Sequence, residues 1–280
     1  MQERAAAGGR EGPAGSIALR VPNPVAVAAA LTIALTLALP LALALGGCAS
    51  NQERSARLGA LRRRELLAHP AAAQGGLTVT RQSREIQVVA SAVVHDASGT
   101  AVVVTLRNRS SRTLREAPIA IAVTGAGGSA LYRNDAPGLD STLVSVPVLA
   151  RGARSVWVDD QVQTAGTPTG VSARVGEPAG ASVGEPASAS GPVPALEVHG
   201  VHTVEEAGGS GVQGTVVNRS RVAQQKLVVF AVARRGGRVV AAGRAVLAEV
   251  PAGGSTPFQV FFIGDPRGAK LEVSAPASTL

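Results

Sequence analysis

Apolar residues recur at every second position in short runs along residues 77–280, and Gly, Pro, Asn or Ser separates one run from the next. Val228, Phe230 and Val232 illustrate the pattern, because they fall on one face of an extended strand. No long amphipathic helix interrupts the runs, so the pattern predicts an all-β fold of antiparallel strands and excludes parallel βαβ folds. The predicted strands are 86–94, 100–106, 119–123, 143–148, 156–162, 196–204, 211–217, 226–233, 238–250, 256–263 and 270–274, with 171–174 left open as a further strand.

An internal repeat at a spacing of 110 residues relates the two groups of strands. Asn108-Arg109-Ser110 recurs as Asn218-Arg219-Ser220, and the same register extends upstream. The chain is therefore predicted to be a tandem duplication. Five to seven short strands in each copy favour two tandem antiparallel immunoglobulin-like β-sandwiches behind a helical signal or anchor segment. The upstream matches are Val88 with Val198, Val94 with Val204, Asp96 with Glu206, Ala97 with Ala207, Gly99 with Gly209 and Val102 with Val212.

The copies differ in length between the Asn turn and a later strand. Trp157 takes the place of Phe258 at a spacing of 101, so the first copy holds about nine extra residues, which we place in 130–142. Two positions remain open for Trp157: in the core at the start of its strand, or outward beside polar neighbours. After Phe258 the chain is apolar on both faces, and we expect the sister copy to cover one of them.

The amino-terminal segment has the pattern of an export signal. Residues 25–45 carry no charge and follow a leader that contains Arg4, Arg10 and Arg20. The apolar run is typical of a secretory signal, and at about 20 residues it could also span a bilayer. Leu45-Gly46-Gly47-Cys48 follows it and resembles the bacterial lipobox, whose cysteine receives a diacylglycerol before the leader is removed. The resemblance implies lipidation at Cys48, with covalent diacylglycerol as the only cofactor; the alternative is an uncleaved signal anchor.

Cys48 is the only cysteine, which excludes an intramolecular disulfide. Residues 48–76 hold five arginines and two glutamates, a net charge of +3, and this segment either approaches an anionic lipid surface or is a solvated tether. Of the 27 basic residues in the chain only Lys226 and Lys270 are lysine, a bias typical of a GC-rich genome, so a functional role for an arginine needs further support. We expect no nucleic-acid binding, because the basic segment lacks interleaved aromatic residues.

Low complexity marks the segment between the copies. Pro, Gly, Ser, Thr and Ala dominate residues 165–195, which predicts a semi-extended linker. The predicted organisation is a lipoprotein signal peptide at 1–47, a basic membrane-proximal tether at 48–76, a first sandwich at 77–164, the linker at 165–195 and a second sandwich at 196–280.

The second copy resembles the FxLYD type of bacterial extracytoplasmic domain. The resemblance lies in residues 216–220 (Val-Val-Asn-Arg-Ser), the Gly236-Gly237 turn, and residues 250–258, where a Pro-Ala-Gly loop leads into a strand opened by Phe258. It covers residues 196–275 well and the first copy loosely, through residues 106–110 and 152–157. The resemblance implies a non-enzymatic, surface-exposed β-sandwich and supplies no catalytic residues.

Catalytic motifs in a fitting context are absent from the sequence. It contains no HExxH or GxxxxGK; its GxSxG match at 180–184 lies in the low-complexity segment, its GxGxxG match at 209–214 is not in a strand-to-helix context, and we predict that the protein is not an enzyme. Asn108 and Asn218 match the glycosylation sequon, but we predict that each ends its strand in a turn, since Asn tolerates the left-handed conformation. Tyr132 and Trp157 are candidate binding residues, because both lie in or beside the departures from the repeat. One acidic cluster is a weak calcium candidate and is otherwise ordinary turn chemistry; its members are Asn134, Asp135, Asp140, Asp159 and Asp160.

The sequence thus predicts a lipid-anchored protein on the outer face of the bacterial cell membrane, with a non-catalytic binding or scaffolding role. Its expected partners are the membrane, through the lipid, and a protein or envelope polymer. The alternatives are a signal-anchored membrane sensor, an accessory subunit of an envelope complex and, ranked last, an envelope enzyme.

Overall fold

Fourteen strands make up nearly all of the regular structure in the part of the chain that the computed structural model describes, which is residues 79–178, 192–206 and 209–278. The first copy contains β1 (Ile86–Asp96), β2 (Gly99–Asn108), β3 (Ala117–Thr124), β4 (Ala130–Arg133), β5 (Ser145–Val146), β6 (Arg154–Val162) and β7 (Gly170–Val175). The second contains β8 (Leu196–Glu206), β9 (Gly209–Asn218), β10 (Gln224–Arg235), β11 (Arg238–Val250), β12 (Ser255–Phe261), β13 (Ile263–Gly264) and β14 (Lys270–Ser274).

The all-β prediction is confirmed, and all strand pairs in the described residues are antiparallel. Two short 3-10 turns, Ala126–Gly128 and Ser141–Leu143, are the helical elements of this part of the chain. The strand left open at 171–174 is β7, which pairs with β3, so this part of the predicted linker belongs to the sheet of the first copy. Within the described residues, no helix is long and apolar enough to cross a bilayer.

The strands form four sheets. Sheet I has the order β1-β2-β6, and sheet II has β3 at its centre, with β4 and β5 along one edge and β7 on the other. Sheet III has the order β12-β9-β8 and sheet IV the order β13-β11-β10-β14. The second copy therefore repeats the pairing of the first, with β8, β9 and β12 in the places of β1, β2 and β6.

The register of the pairing reproduces the duplication. Trp157 lies opposite Val104, and Phe258 lies opposite Gly214. Val104 of β2 and Gly214 of β9 are 110 positions apart in the sequence. Trp157 of β6 and Phe258 of β12 are 101 positions apart. Trp157 therefore occupies the place of Phe258, and its 0% exposure settles its position in the core.

The extra residues of the first copy lie between β4 and β5. In the first copy Arg133 and Val146 pair with Ala122 and Ala117 of β3. The equivalent partners in the second copy, Ala242 and Leu247, both belong to the continuous strand β11. Arg133 and Val146 are 13 positions apart, whereas Ala242 and Leu247 are 5 positions apart. Eight of the nine extra residues therefore interrupt the counterpart of β11. We call residues 134–145 the insertion.

The sheets stack in the order II, I, IV, III, because strand β10 is apolar on both faces. Leu227, Val229 and Ala231 belong to the core of the second copy, between sheets IV and III. Val228 and Phe230 belong to the core that contains sheets I and II. Ile263 also belongs to the core that contains sheets I and II. The first copy therefore covers one apolar face of the segment after Phe258, as expected.

Candidate functional site

Strand β6 carries two adjacent aspartates to opposite faces of sheet I, because side chains alternate along a strand. Asp159 lies on the same face as Trp157 and points into the first copy. Asp160 points toward sheet IV of the second copy, where it meets Arg244 of β11. The predicted acidic pair therefore does not converge on one point.

Asp160 and Arg244 form an ion pair between the two copies. The Arg244 Nε lies 3.5 Å from Asp160 Oδ1, and the backbone N–H of Arg244 donates to Asp160 Oδ2 at 3.1 Å. The two side chains are 10% and 3% exposed. Burial raises the pKa of Asp160, while the charge of Arg244 opposes that rise. A charge pair so far removed from water depends on each partner to offset the desolvation of the other.

The insertion supplies the remaining partners of Arg244. The Nη1 of Arg244 donates to the carbonyl oxygen of Thr142 at 3.3 Å and to Thr142 Oγ1 at 3.1 Å. The hydroxyl of Thr142 in turn donates to Asp140 Oδ1 at 2.8 Å. Burial tends to raise the pKa of Asp140, but the hydrogen bonds from Thr142 and the charge of Arg244 outweigh it and lower that pKa.

The indole of Trp157 fixes the insertion from within the first copy. Its Nε1 donates to the carbonyl oxygens of Thr142 and Ser145 at 3.3 and 3.2 Å. With no exposed surface, Trp157 packs against the insertion and has no face free for a ligand in this conformation. The carbonyl of Thr142 thus accepts from both copies.

Asp159 is fully buried and has neutral partners. Tyr132 donates its hydroxyl to Asp159 Oδ2 at 3.3 Å, and the backbone N–H of Gln161 donates to Oδ1 at 2.9 Å. Burial raises the pKa of Asp159 to about 6, although the Gln161 N–H and the charge of Arg244 work against it. Tyr132, predicted as a binding residue, therefore serves as a partner to a buried acid.

The other two members of the predicted calcium cluster lie apart from this group. The side-chain amide of Asn134 bonds to backbone groups. Its Oδ1 accepts from the Ile121 N–H, and its Nδ2 donates to the carbonyls of Ile119 and Leu143. Asp135 is exposed and pairs with Arg133 at 2.9 Å. In the part of the chain that the structure describes, no three His, Cys, Asp or Glu side chains are placed to share a metal ion. Cys48 lies outside the described residues.

The two sequon asparagines are placed at strand ends as predicted, but the physical reason is different. Neither has a positive φ; the non-glycine residues with positive φ in the described chain are Glu116 and Lys226, themselves 110 apart. The Nδ2 of Asn108 instead donates to three carbonyls, those of Arg112, Leu149 and Ala150. Asn218 donates to the equivalent three, those of Val222, Val250 and Pro251. Each amide therefore ties two loops together.

Sequence reasoning missed Arg244 and Thr142. Arg244 did leave a signal, because it is the one charged residue in the apolar run from Val239 to Leu247. A lone arginine in a strand that is otherwise apolar predicts a buried acidic partner, since an unpaired charge is costly to bury. Thr142 left none, because its role depends on where the insertion folds.

Comparisons with known proteins give little information on identity. No family model matches the chain, and no curated protein matches it. Among solved structures, one titled as red sea bream transglutaminase aligns with 14% sequence identity and a TM-score of 0.18. That alignment covers 76% of this chain and 31% of the other, so the chain spans about a third of that protein. A likeness at this level carries no argument about function.

Proposed function

We propose that the chain is a lipid-anchored extracytoplasmic protein of the bacterial cell envelope with a non-catalytic binding or scaffolding role. The observation that carries the proposal is the stacking of both copies into one four-layered body, in which the buried ion pair of Asp160 and Arg244 joins the copies. A protein of this kind presents a fixed outer surface and not an internal reaction site. The lipobox-like residues before Cys48 support a position of that body outside the membrane.

The strand order supports immunoglobulin-like sandwiches of the FxLYD type. In immunoglobulin domains strands A, B and E share one sheet, and strand C pairs with F in the other. Here β1, β2 and β6 share sheet I, and β3 pairs with β7 in sheet II. The second copy repeats both pairings through β8-β9-β12 and β10-β14.

The hydrogen bonds of the predicted site support a structural role for its residues. Asp160, Arg244, Thr142 and Trp157 are each bonded to groups of the fold. Asp159 is enclosed by the first copy and reaches a tyrosine hydroxyl and a backbone N–H. These contacts join layers of the protein, which is what a scaffold requires.

Mass spectrometry of the membrane fraction tests the anchor. We expect a chain that begins at Cys48 and carries diacylglycerol, and a Cys48→Ala variant that keeps its leader and gains no lipid. A wild-type chain that still begins near Met1 would refute lipidation and favour the signal-anchored sensor or accessory subunit.

Crosslinking in intact cells tests the binding role. A photoreactive residue at exposed Val246 or Val222 would report on contacts of the second copy, since both side chains are 44% exposed. We expect a discrete crosslinked species, a protein or an envelope polymer, that is lost when the same residue is placed at buried Val229. Crosslinks from both exposed positions that match those of the buried control would contradict a specific binding surface.

A further inference from the structure

Five exposed arginines surround the Asn turn of the first copy. We call this group the arginine end, and its members are Arg107, Arg109, Arg112, Arg151 and Arg154. They come from two stretches of the chain about 40 residues apart: the end of β2 with the turn after it (107–112), and the turn before β6 with the start of β6 (151–154). Their grouping is therefore a product of the fold.

Pairing in sheet I and the amide of Asn108 bring the arginines together. Arg107 and Arg154 are direct cross-strand partners, so their side chains leave the same face of the sheet. Asn108 Nδ2 donates to the carbonyl of Arg112 at 2.7 Å and to that of Ala150 at 3.1 Å. These bonds hold the turns with Arg109, Arg112 and Arg151 around one buried side chain.

Little acidic charge balances the arginine end. Arg112 pairs with Glu85 at 2.6 Å, and the charge of Glu177 also acts on Arg112. Within the described residues, the remaining four arginines make no ion pair. Like charges directly opposite each other in a sheet destabilise the pairing, so Arg107 beside Arg154 is a cost that the fold alone does not explain.

The second copy provides an internal control for arginine usage. Around Asn218 the equivalent positions hold one arginine, Arg219, which pairs with Glu197 at 3.2 Å. Counting Glu85 and Gln87 with the five arginines gives a net charge of +4 in the first copy, and the seven equivalent positions of the second copy give 0, or +1 with Arg221, which stands in the place of Ser111. The other equivalents are Val217, Val222, Ala252, Ser255 and Ala195. Both copies come from one gene with one codon bias, so that bias does not account for the difference.

The chain enters the first copy at the arginine end. Val79 is the first described residue, and residues 79–85 run along this end to reach β1. Ser83 N–H donates to the carbonyl of Val175, and Arg109 N–H donates to that of Glu85. In a protein anchored at Cys48, this is the end of the body closest to the anchor along the chain.

We propose that the arginine end docks on the anionic phospholipid headgroups of the membrane that holds the anchor. The proposal rests on the proposed function, since the anchor keeps the body near the bilayer. Phosphate oxygens accept several guanidinium hydrogen bonds at once, which suits four arginines without carboxylate partners.

The test uses the full chain, purified from membranes and reconstituted in vesicles. A fluorophore is attached to Ser111→Cys in the first copy or to Arg221→Cys, the equivalent exposed position in the second. The vesicles contain a headgroup-quencher lipid in either phosphatidylcholine alone or a mixture with phosphatidylglycerol. On the phosphatidylglycerol vesicles we expect strong quenching at position 111, weak quenching at position 221, and loss of the difference at high salt.

Charge-removing variants measure the contribution of the arginine end. Each basic side chain at an anionic surface contributes about fivefold to partitioning, so R107Q with R151Q should lower the docked-to-undocked ratio roughly 25-fold. The matched control, R219Q with R221Q at the second Asn turn, should leave quenching at position 111 unchanged. Equal thermal midpoints by circular dichroism would show that both double variants are folded.

The proposal fails if quenching at position 111 is the same on both vesicle types, or if both double variants reduce it equally. Attraction of the arginine end to an acidic protein would give the first of these results. The mass of the purified chain reports separately on lipidation. If the leader is retained, it also anchors the chain in the vesicles. In that case Cys48→Ser removes the second thiol, so that the fluorophore labels a single site. Docking can therefore be measured whether or not the anchor is a lipid.

Discussion

Strands β6 and β12 occupy the same place in the two copies but bury opposite kinds of residue. Asp159 and Asp160 of β6 correspond to Val260 and Phe261 of β12 at the spacing of 101. Val260 is fully buried in an apolar core, as is usual for such a position. The first copy tolerates two acids there because Tyr132 approaches one and Arg244 the other.

The two copies share one backbone arrangement, and their side chains differ where the copies contact each other. Sheet I has a neighbour on each face, and its equivalent, sheet III, has a neighbour on one. β2 is consequently buried on both faces from Thr100 to Leu106, whereas about half of the residues in β9 are only half-buried. The insertion, present in the first copy, adds Thr142 as a third partner to the ion pair.

The largest expected effect follows removal of the arginine between the copies. Arg244→Ala leaves Asp160 buried without its cation and should lower the free energy of unfolding by about 3–5 kcal/mol. Urea denaturation measures the loss, and Arg238→Ala, at an exposed position of the same strand, should change it by less than about 0.5 kcal/mol. The double variant Arg244→Met with Asp160→Leu should recover most of the stability. A loss below about 1 kcal/mol for Arg244→Ala would show that the pair does not hold the copies together.

The two asparagines offer a direct comparison of the copies. Asn108→Ala and Asn218→Ala each leave three carbonyls without their shared donor, at a cost of about 3 kcal/mol in each case. Chemical denaturation of both variants, with exposed Ser111→Ala as control, tests the equivalence. Clearly unequal losses of unfolding free energy would mean that the contact between copies stabilises one of the two turns in place of its asparagine.

A pH series tests the acid that replaced Val260. The pKa of Asp159 in the folded chain is about 6, above the ordinary value of 3.8. The folded state therefore keeps this proton to higher pH than the unfolded state does, so its contribution is complete below about pH 4 and is lost as the pH rises through 6. The loss amounts to about 3 kcal/mol.

Asp159→Asn isolates that contribution, because it leaves the other carboxylates in place. We expect the variant to match the wild type in unfolding free energy at pH 4 and to exceed it at pH 7.5. Glu197, which is exposed and has a lowered pKa, provides the control: Glu197→Gln should show no such gain at the higher pH. A stability difference between Asp159→Asn and wild type that does not vary with pH would contradict the burial of an ionisable acid at this position.

The smallest effect concerns the insertion. Thr142→Val removes the hydroxyl that joins Arg244 to Asp140 but keeps the carbonyl, and should cost about 1 kcal/mol. Thr256→Val, at an exposed hydroxyl that donates to the Glu249 carbonyl, should cost less. Thermal unfolding of the two variants in parallel gives the ranking, and a larger loss at Thr256 would argue that the insertion contributes little to the contact.

Most of the fold was predictable because strands and duplication are local patterns. The predicted strand 238–250 coincides with β11, and 270–274 with β14. The predicted strand 143–148 corresponds only to the two residues of β5, because the insertion places a 3-10 turn at Ser141–Leu143. The 110 and 101 offsets place the extra residues between the Asn turn and Trp157, and the predicted segment 130–142 overlaps the insertion at 134–145.

The candidate site was predictable only in part. Asp140, Asp159 and Asp160 were singled out as calcium candidates, and Tyr132 and Trp157 as binding candidates. The structure places all five around the contact between β6, the insertion and β11. The acidic residues among them suggested shared calcium ligands. The alternation of side chains along β6, however, directs Asp159 and Asp160 to opposite faces of sheet I. Asn134 and Asp135 are likewise engaged elsewhere, with the backbone and with Arg133.

The strands, the duplicated register and the stretch that contains the insertion follow from periodicity and spacing along the chain. Only the folded protein shows that sheet I packs on sheet IV, that Arg244 neutralises Asp160, and that arginines from two stretches of the chain meet at one end. Contacts between the sheets join residues up to 168 positions apart, and their energy depends on burial and on the geometry of facing sheets. No local pattern specifies which faces meet.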